Sequence, residues 1–241
     1  MATPEENAKN IAANKKRMHA LGRDVMENKK NAYLNRSMAM VNRHLIMRNR
    51  EAAFGGNRQL ANSNTSNLFR NRRGVLHALP EDTDVQRNFK NSMLNNVRLE
   101  FLDHRSELNA EVMDINTDIM NVNEAMMAVN RRIMELNEKI VTYNKGMIAD
   151  NKEWLDNGVP GADNPTPDSN AEIIAANASK IDEIEARAKK NAETTKANRE
   201  NILERRARIE ANTKEIYERR ERIMENAENI KKNAERVAAL F

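Results

Sequence analysis

The chain alternates polar and apolar positions with a seven-residue beat, and the polar member of the beat is asparagine. Asn7, Asn14, Asn28, Asn35, Asn42 and Asn49 keep the step near the start. Asn88, Asn95 and the run from Asn109 to Asn151 keep it through the middle, and Asn170, Asn177, Asn191, Asn198, Asn212, Asn226 and Asn233 keep it to the end. A step of seven returns to one side of a helix, so the amides form stripes along helices. Four residues after most of these Asn comes an apolar residue, as in Ile174, Ile181, Ala188, Ile202, Ile209, Ile216, Ile223, Ile230 and Val237, with Thr195 in the same series. With that series at heptad position a, the amides fall at d, which places them in a packed seam rather than on a solvated face. An Asn at a core position weakens a coiled coil and specifies its register. It also needs hydrogen-bond partners, since a buried amide without them costs roughly 1–3 kcal/mol. Mutual Asn layers, trapped water or an anion would supply them.

Three helix starts are marked. Thr3-Pro4-Glu5-Glu6 offers an N-cap, Pro at the first helical position and a Glu three residues after the cap. Thr83-Asp84-Val85-Gln86 and Ser169-Asn170-Ala171-Glu172 repeat the capping-box spacing. Gly55-Gly56 is expected to end or kink the first helix. After it, Asn57, Asn64 and Asn71 resume the step one residue out of phase, and residues 57–76 read as a broken continuation. The chain therefore divides into a basic helical arm over 1–76 with a break at 55–56, a turn at 77–82, a central helix over 83–155, a Pro/Gly linker at 156–168 and a last coiled-coil helix over 169–241. Each long segment is on the order of 100 Å if fully helical. The fold class is all-α, a bundle of long coiled-coil helices.

The helices differ in breadth. The middle one is apolar also just before a (Val112, Ile119, Met126, Ile133) and just before the Asn (Ile115, Val122, Val129, Leu136). A face that wide can touch two neighbours. The last helix carries Lys180, Arg187, Arg208 and Glu215 at the flanking positions, so its seam is narrow. The middle helix is thus expected at the centre of a bundle and the last at its periphery.

Composition removes most other classes. Aromatic residues are 4% and charged residues 32%, with seven Gly and five Pro, which suits long helices better than a compact enzyme. There is no cysteine, hence no disulfide framework or thiolate metal site. His19, His44, His77 and His104 lack metal-ligand spacing, and no phosphate-cradling loop or nucleophile elbow is present. Asp156, Asp163 and Asp168 share one loop but miss the calcium-loop pattern. No catalytic residue, cofactor or metal is expected. Without an apolar membrane span or a signal-peptide core, the expected location is the cytoplasm or a virion.

Charge is uneven. Residues 1–80 hold fifteen Lys/Arg against five Asp/Glu, whereas the whole chain is only +4. Arg48, Arg50, Arg58, Arg70, Arg72 and Arg73 surround the Gly-Gly break, where regular heptad pairing is least able to occupy them. Two readings stay open: residues 29–73 meet an anionic partner such as nucleic acid, or they pack against the acidic remainder. Membrane-surface binding is the less favoured outlet for the same charge.

Ile209-Glu210-Ala211-Asn212-Thr213 resembles the Ile-x-x-Asn-Thr heptad of trimeric coiled-coil stalks in trimeric autotransporter adhesins. Met113-Asp114-Ile115-Asn116-Thr117 and Ile223-Met224-Glu225-Asn226 are similar. The resemblance covers heptads and implies core chemistry: Asn116, Asn212 and Asn226 become candidate anion ligands on an oligomer axis. With Asn123, Asn130 and Asn137 they form the expected core Asn layers. The function expected is structural, a self-associating, non-enzymatic part of a fibre, filament or particle scaffold. The alternatives are a virion or nucleoid component whose basic arm binds nucleic acid, and an adaptor that tethers other proteins or membranes.

Overall fold

A computed structural model describes residues 2–241. Among them every regular element is helical: α1 (Pro4–Arg50), a π-helical segment (Glu51–Asn57), α2 (Arg58–His77), α3 (Asp84–Asn157) and α4 (Pro167–Ala238). The chain is an all-α protein of long helices. Its contacts divide it into two units, Met1–Ile46 with Ile140–Glu210, and Met47–Lys139 with Ala211–Phe241.

The starts follow local chemistry. At α1 the Thr3 hydroxyl accepts from the Glu6 backbone N–H at 3.2 Å and the Glu6 carboxylate accepts from the Thr3 N–H at 3.2 Å. Thr83 and Gln86 make the same reciprocal pair before α3. The third start differs from the expectation at Ser169. Helix α4 begins at Pro167, capped by Thr166, whose hydroxyl accepts from the Ser169 N–H at 3.1 Å while the Ser169 hydroxyl accepts from the Thr166 N–H at 2.9 Å. Thr166-Pro167-Asp168-Ser169 copies the pattern of Thr3-Pro4-Glu5-Glu6, with Pro at the position where a missing N–H is harmless. The linker between α3 and α4 turns at Gly158 and Gly161, whose φ values of 82° and 78° are the left-handed conformation glycine adopts without strain.

The Gly55-Gly56 pair neither ends the helix nor breaks it. It lies in the π-helical segment, and α2 follows directly. The polar stretch at 60–67 is helical as well, with Thr65 and Ser66 hydroxyls donating to the Ala61 and Asn62 carbonyls one turn back, both at 3.1 Å.

In the first unit α1 and α4 run parallel, because each bond from α1 to α4 advances by the same number of residues on both helices. In the second unit α2 is parallel to the end of α4 and antiparallel to α3. There Phe69 stacks on Phe101 with ring centroids 4.4 Å apart, and Arg72 pairs with Glu100. The turn between α2 and α3 is held by Lys90, only 5% exposed, which donates to the His77 carbonyl at 3.0 Å and the Leu79 carbonyl at 3.4 Å and pairs with Glu81.

Burial reverses the order expected from the breadth of the apolar faces. The buried apolar side chains are Leu21, Val97, Ile174, Ile181, Ala188, Ile209 and Ile230, five of them on the narrow-seamed α4. Helix α3 buries only Lys90 and Val97. Beyond residue 112 its broad face is exposed within the single chain except for half-buried Ile119 and Met126, so the central position expected for this helix is not taken up by one copy.

Candidate assembly interface

The asparagines of α1 and α2 are the element that grips α4. In the first unit the side-chain amides of Asn7, Asn14, Asn28, Asn35 and Asn42 donate to the backbone carbonyls of Pro167, Ile174, Ala188, Thr195 and Ile202 at 2.7–3.1 Å, each 160 residues later. In the second unit Asn57, Asn64 and Asn71 donate to Ile216, Ile223 and Ile230 at 2.8–2.9 Å, each 159 residues later. The acceptors on α4 are the heptad a residues. A peptide carbonyl has two lone pairs, so it accepts the amide without giving up its own helical bond. Within one chain these amides meet backbone carbonyls rather than one another. A side chain that reaches a neighbouring backbone must lie close to it, and close approach needs small residues beside the a series: Ala178, Ala192, Ala227 and Ala234 supply them.

The amide oxygens are used as well. Arg206 Nε donates to Asn42 Oδ1, and the Thr213 hydroxyl donates to Asn49 Oδ1 at 2.9 Å, both from positions 164 residues on. Asn57 Oδ1 is buried and has no hydrogen-bond partner. The rung between Asn14 and Asn28 carries Leu21 instead, and both Leu21 and the corresponding a residue Ile181 are buried. A hydrocarbon therefore occupies one rung of the ladder. Arg17 adds a bifurcated ion pair with Asp182 and Glu185, and the hydrogen bonds it donates, first to Glu185 and then to Asp182, hold its guanidinium pKa above the usual value.

Asn116, Asn123, Asn130, Asn137, Asn212 and Asn226, the amides expected in core layers, are all exposed in the single chain. The structure thus brings together the Asn stripe of α1 and α2 and leaves those of α3 and α4 uncovered. The interface on α4 is made chiefly by a and the position four residues after it, and its own Asn at d stays exposed along the edge of the seam.

The six arginines are not gathered into one cluster. Arg72 is paired with Glu100, Arg58 lies 4.5 Å over the Phe54 ring, Arg73 lies 5.7 Å from the Phe69 ring, and Arg70 donates to Asn67 at 3.3 Å. Arg48 and Arg50 are exposed and form no ion pair among the described residues.

A cavity of about 600 Å³ is an open groove beside the Asn28 and Asn35 rungs, rimmed by Asp24, Glu27, Lys189, Lys196 and Arg199. No group of three or more His, Asp or Glu among the described residues could hold a metal ion, and no described helix is long and apolar enough to cross a membrane. The class defined by these features is an all-α protein of long helices whose apolar faces are incompletely covered. Comparison with known proteins finds no matching family model, no similar curated protein and no similar solved structure.

Proposed function

We propose that the protein is a structural, non-enzymatic subunit that self-associates through its helices into a fibre, filament or particle scaffold. The observation that carries this reading is the uncovered face of α3. Met113, Met120, Met127 and Met134 are each more than 60% exposed, and Val122, Ile133 and Leu136 are exposed beside them. An apolar surface of this extent is characteristic of a surface that meets another protein. Light scattering from the purified chain, combined with negative-stain imaging, tests it: growth in mass with concentration and a regular particle are expected. A species of 27.6 kDa at tens of micromolar contradicts it.

A second reading has its own observation. Arg48 and Arg50 are exposed without acidic partners among the described residues, on a helix with eleven Lys/Arg against four Asp/Glu. Such a helix can track nucleic-acid phosphates, as a virion or nucleoid component would. Binding to DNA or RNA that falls steeply with salt supports it, and indifference to polyanions at low salt removes it.

A further inference from the structure

We propose that the exposed face of α3 docks on the outer face of α1 from a second copy of this chain. The inference rests on the self-associating reading above and specifies its contact. The donor surface is α3 between residues 107 and 139. Its apolar steps at Met113, Met120, Met127 and Met134 are seven residues apart, and Asn116, Asn123, Asn130 and Asn137 run beside them, exposed. Where a helix of this chain carries the same stripe and is covered, as α1 is by α4, the amides reach the backbone of a parallel helix.

The receiving surface is on α1. Its Asn stripe faces α4, and the apolar residues four positions later flank that seam and stay about half exposed. Ile11, Met18, Val25 and Ile46 are 44–52% exposed. They keep the same seven-residue step, so the two stripes stay in phase along their length.

Charge selects the partner. Residues 107–139 carry seven Asp/Glu against three Lys/Arg, while α1 carries eleven Lys/Arg against four Asp/Glu. Only Arg17 of α1 is paired with an acid of another helix among the described residues. An acidic apolar stripe and a basic apolar stripe of equal period attract each other, whereas two copies of either one repel. A second copy of the chain presents both. The two surfaces are different patches, so the contact is heterologous: every copy that docks leaves one α3 face and one α1 face free, and growth continues into a ring or an open filament.

The test is complementation between full-length chains. M120E/M127E damages only the α3 face and M18E/V25E only the α1 stripe, all at exposed positions. Each variant alone is expected to remain at 27.6 kDa with its helicity intact, and a 1:1 mixture to give a heterodimer of twice that mass, because one good face survives on each chain. Raising the salt should weaken that heterodimer. As a second measurement the cysteine-free chain permits single-cysteine proteins M127C and V25C, which should form a mixed disulfide in preference to either homodimer on mild oxidation. Wild-type assembly that survives M120E/M127E, or a mixture of the two glutamate variants that stays monomeric, overturns the inference and leaves the self-associating reading intact. If the wild-type chain is itself monomeric at tens of micromolar, both fall and another occupant covers α3. A variant that loses helicity is replaced by the cysteine pair, whose failure to cross-link selectively overturns the contact.

Discussion

The Asn57 amide donates to the Ile216 carbonyl at 2.8 Å across 159 residues, one fewer than the 160 that separate Asn42 from Ile202. The missing residue is accounted for between Asn49 and Asn57, which are eight apart where the other rungs are seven. Over the same stretch α4 keeps its step of seven from Ile209 to Ile216. The π-helical segment Glu51–Asn57 takes up the difference, because a wider turn accommodates one more residue than an α-helical turn at the same rise. Without it, Asn57, Asn64 and Asn71 would be rotated by about 100° away from their acceptors. The Gly-Gly pair sits inside this segment, so it serves register rather than reversal.

Removing one residue of the segment should therefore be tolerated. Deletion of Gly56 restores a seven-residue step from Asn49 to Asn57, closes the wide turn into regular helix and removes a residue that costs about 1 kcal/mol in a helix interior. Thermal melting followed by circular dichroism is expected to show an unchanged or higher Tm. Insertion of one Ala after Asn57 should do the opposite, since it turns Asn64 and Asn71 off the ladder at about 1 kcal/mol each. A deletion that melts lower than the insertion would show that the π-helical segment is not a register device.

Much of this was written in the sequence, and the limits are physical. The helix starts at Thr3 and Thr83 were legible because a capping box is a local contact between residues three apart. The phase slip at Asn57 was legible too, but read as a break, since Gly-Gly more often stops a helix than widens it. The start at Thr166 was hidden by Pro165 and Pro167, which signal a linker and a first helical turn alike. The destination of the amides could not be read at all. A period of seven places Asn on one side of a helix and is silent on whether the facing group is another Asn or a backbone carbonyl. The same silence covers which of several equivalent stripes a single chain satisfies, and here it is that of α1 and α2 rather than those containing Asn116 and Asn212.

The rungs should not be equally replaceable. Asn28 donates to the Ala188 carbonyl and its oxygen accepts from no other side chain, whereas Asn42 both donates to Ile202 and accepts from Arg206. Leu21 shows that a hydrocarbon fits a rung. Asn28→Leu is therefore expected to be neutral or stabilising, by up to about 1 kcal/mol from added apolar burial. Asn42→Leu should cost about 1–2 kcal/mol, because the Arg206 guanidinium, partly buried at that rung, loses its acceptor. Denaturant unfolding of the two single variants decides the matter, and equal midpoints would refute the distinction.

Gly74 is needed for space. A Cβ built there lies 2.5 Å from Val237 Cγ1, a branched and stiff side chain. Ala at this position gains roughly 0.5–1 kcal/mol of helix preference, yet the overlap forces α2 and the end of α4 apart at a cost of about 1–3 kcal/mol. Gly74→Ala is expected to lower Tm, and Val237→Ala in the same chain to recover part of the loss. At Gly55 the nearest atom is the flexible end of Glu51, so Gly55→Ala should be milder. A Gly74→Ala protein as stable as wild type would mean that the helices separate there without penalty.

The corner between α2 and α3 should respond to acid. Lys90 donates to two carbonyls at the end of α2 and pairs with Glu81, and that hydrogen bond, followed by the attraction of the ammonium, holds the Glu81 carboxyl below its ordinary pKa. The folded chain thus binds this proton less readily than the unfolded chain. The stabilisation from Glu81 is complete above the ordinary glutamate range and disappears as pH falls through the lowered folded value. Glu81→Gln should accordingly melt below wild type at pH 7 and approach it as the pH is taken below about 4, the lower edge of the ordinary range. Because Glu81 is solvent-exposed, the difference is expected to shrink further in high salt. Lys90→Met removes the donor itself and strands the His77 and Leu79 carbonyls, so its loss of about 1 kcal/mol should persist at every pH. Parallel melting curves for wild type and Glu81→Gln from pH 7 to pH 3 would place the stability of this corner in the carbonyl contacts of Lys90 alone, with no contribution from the carboxylate.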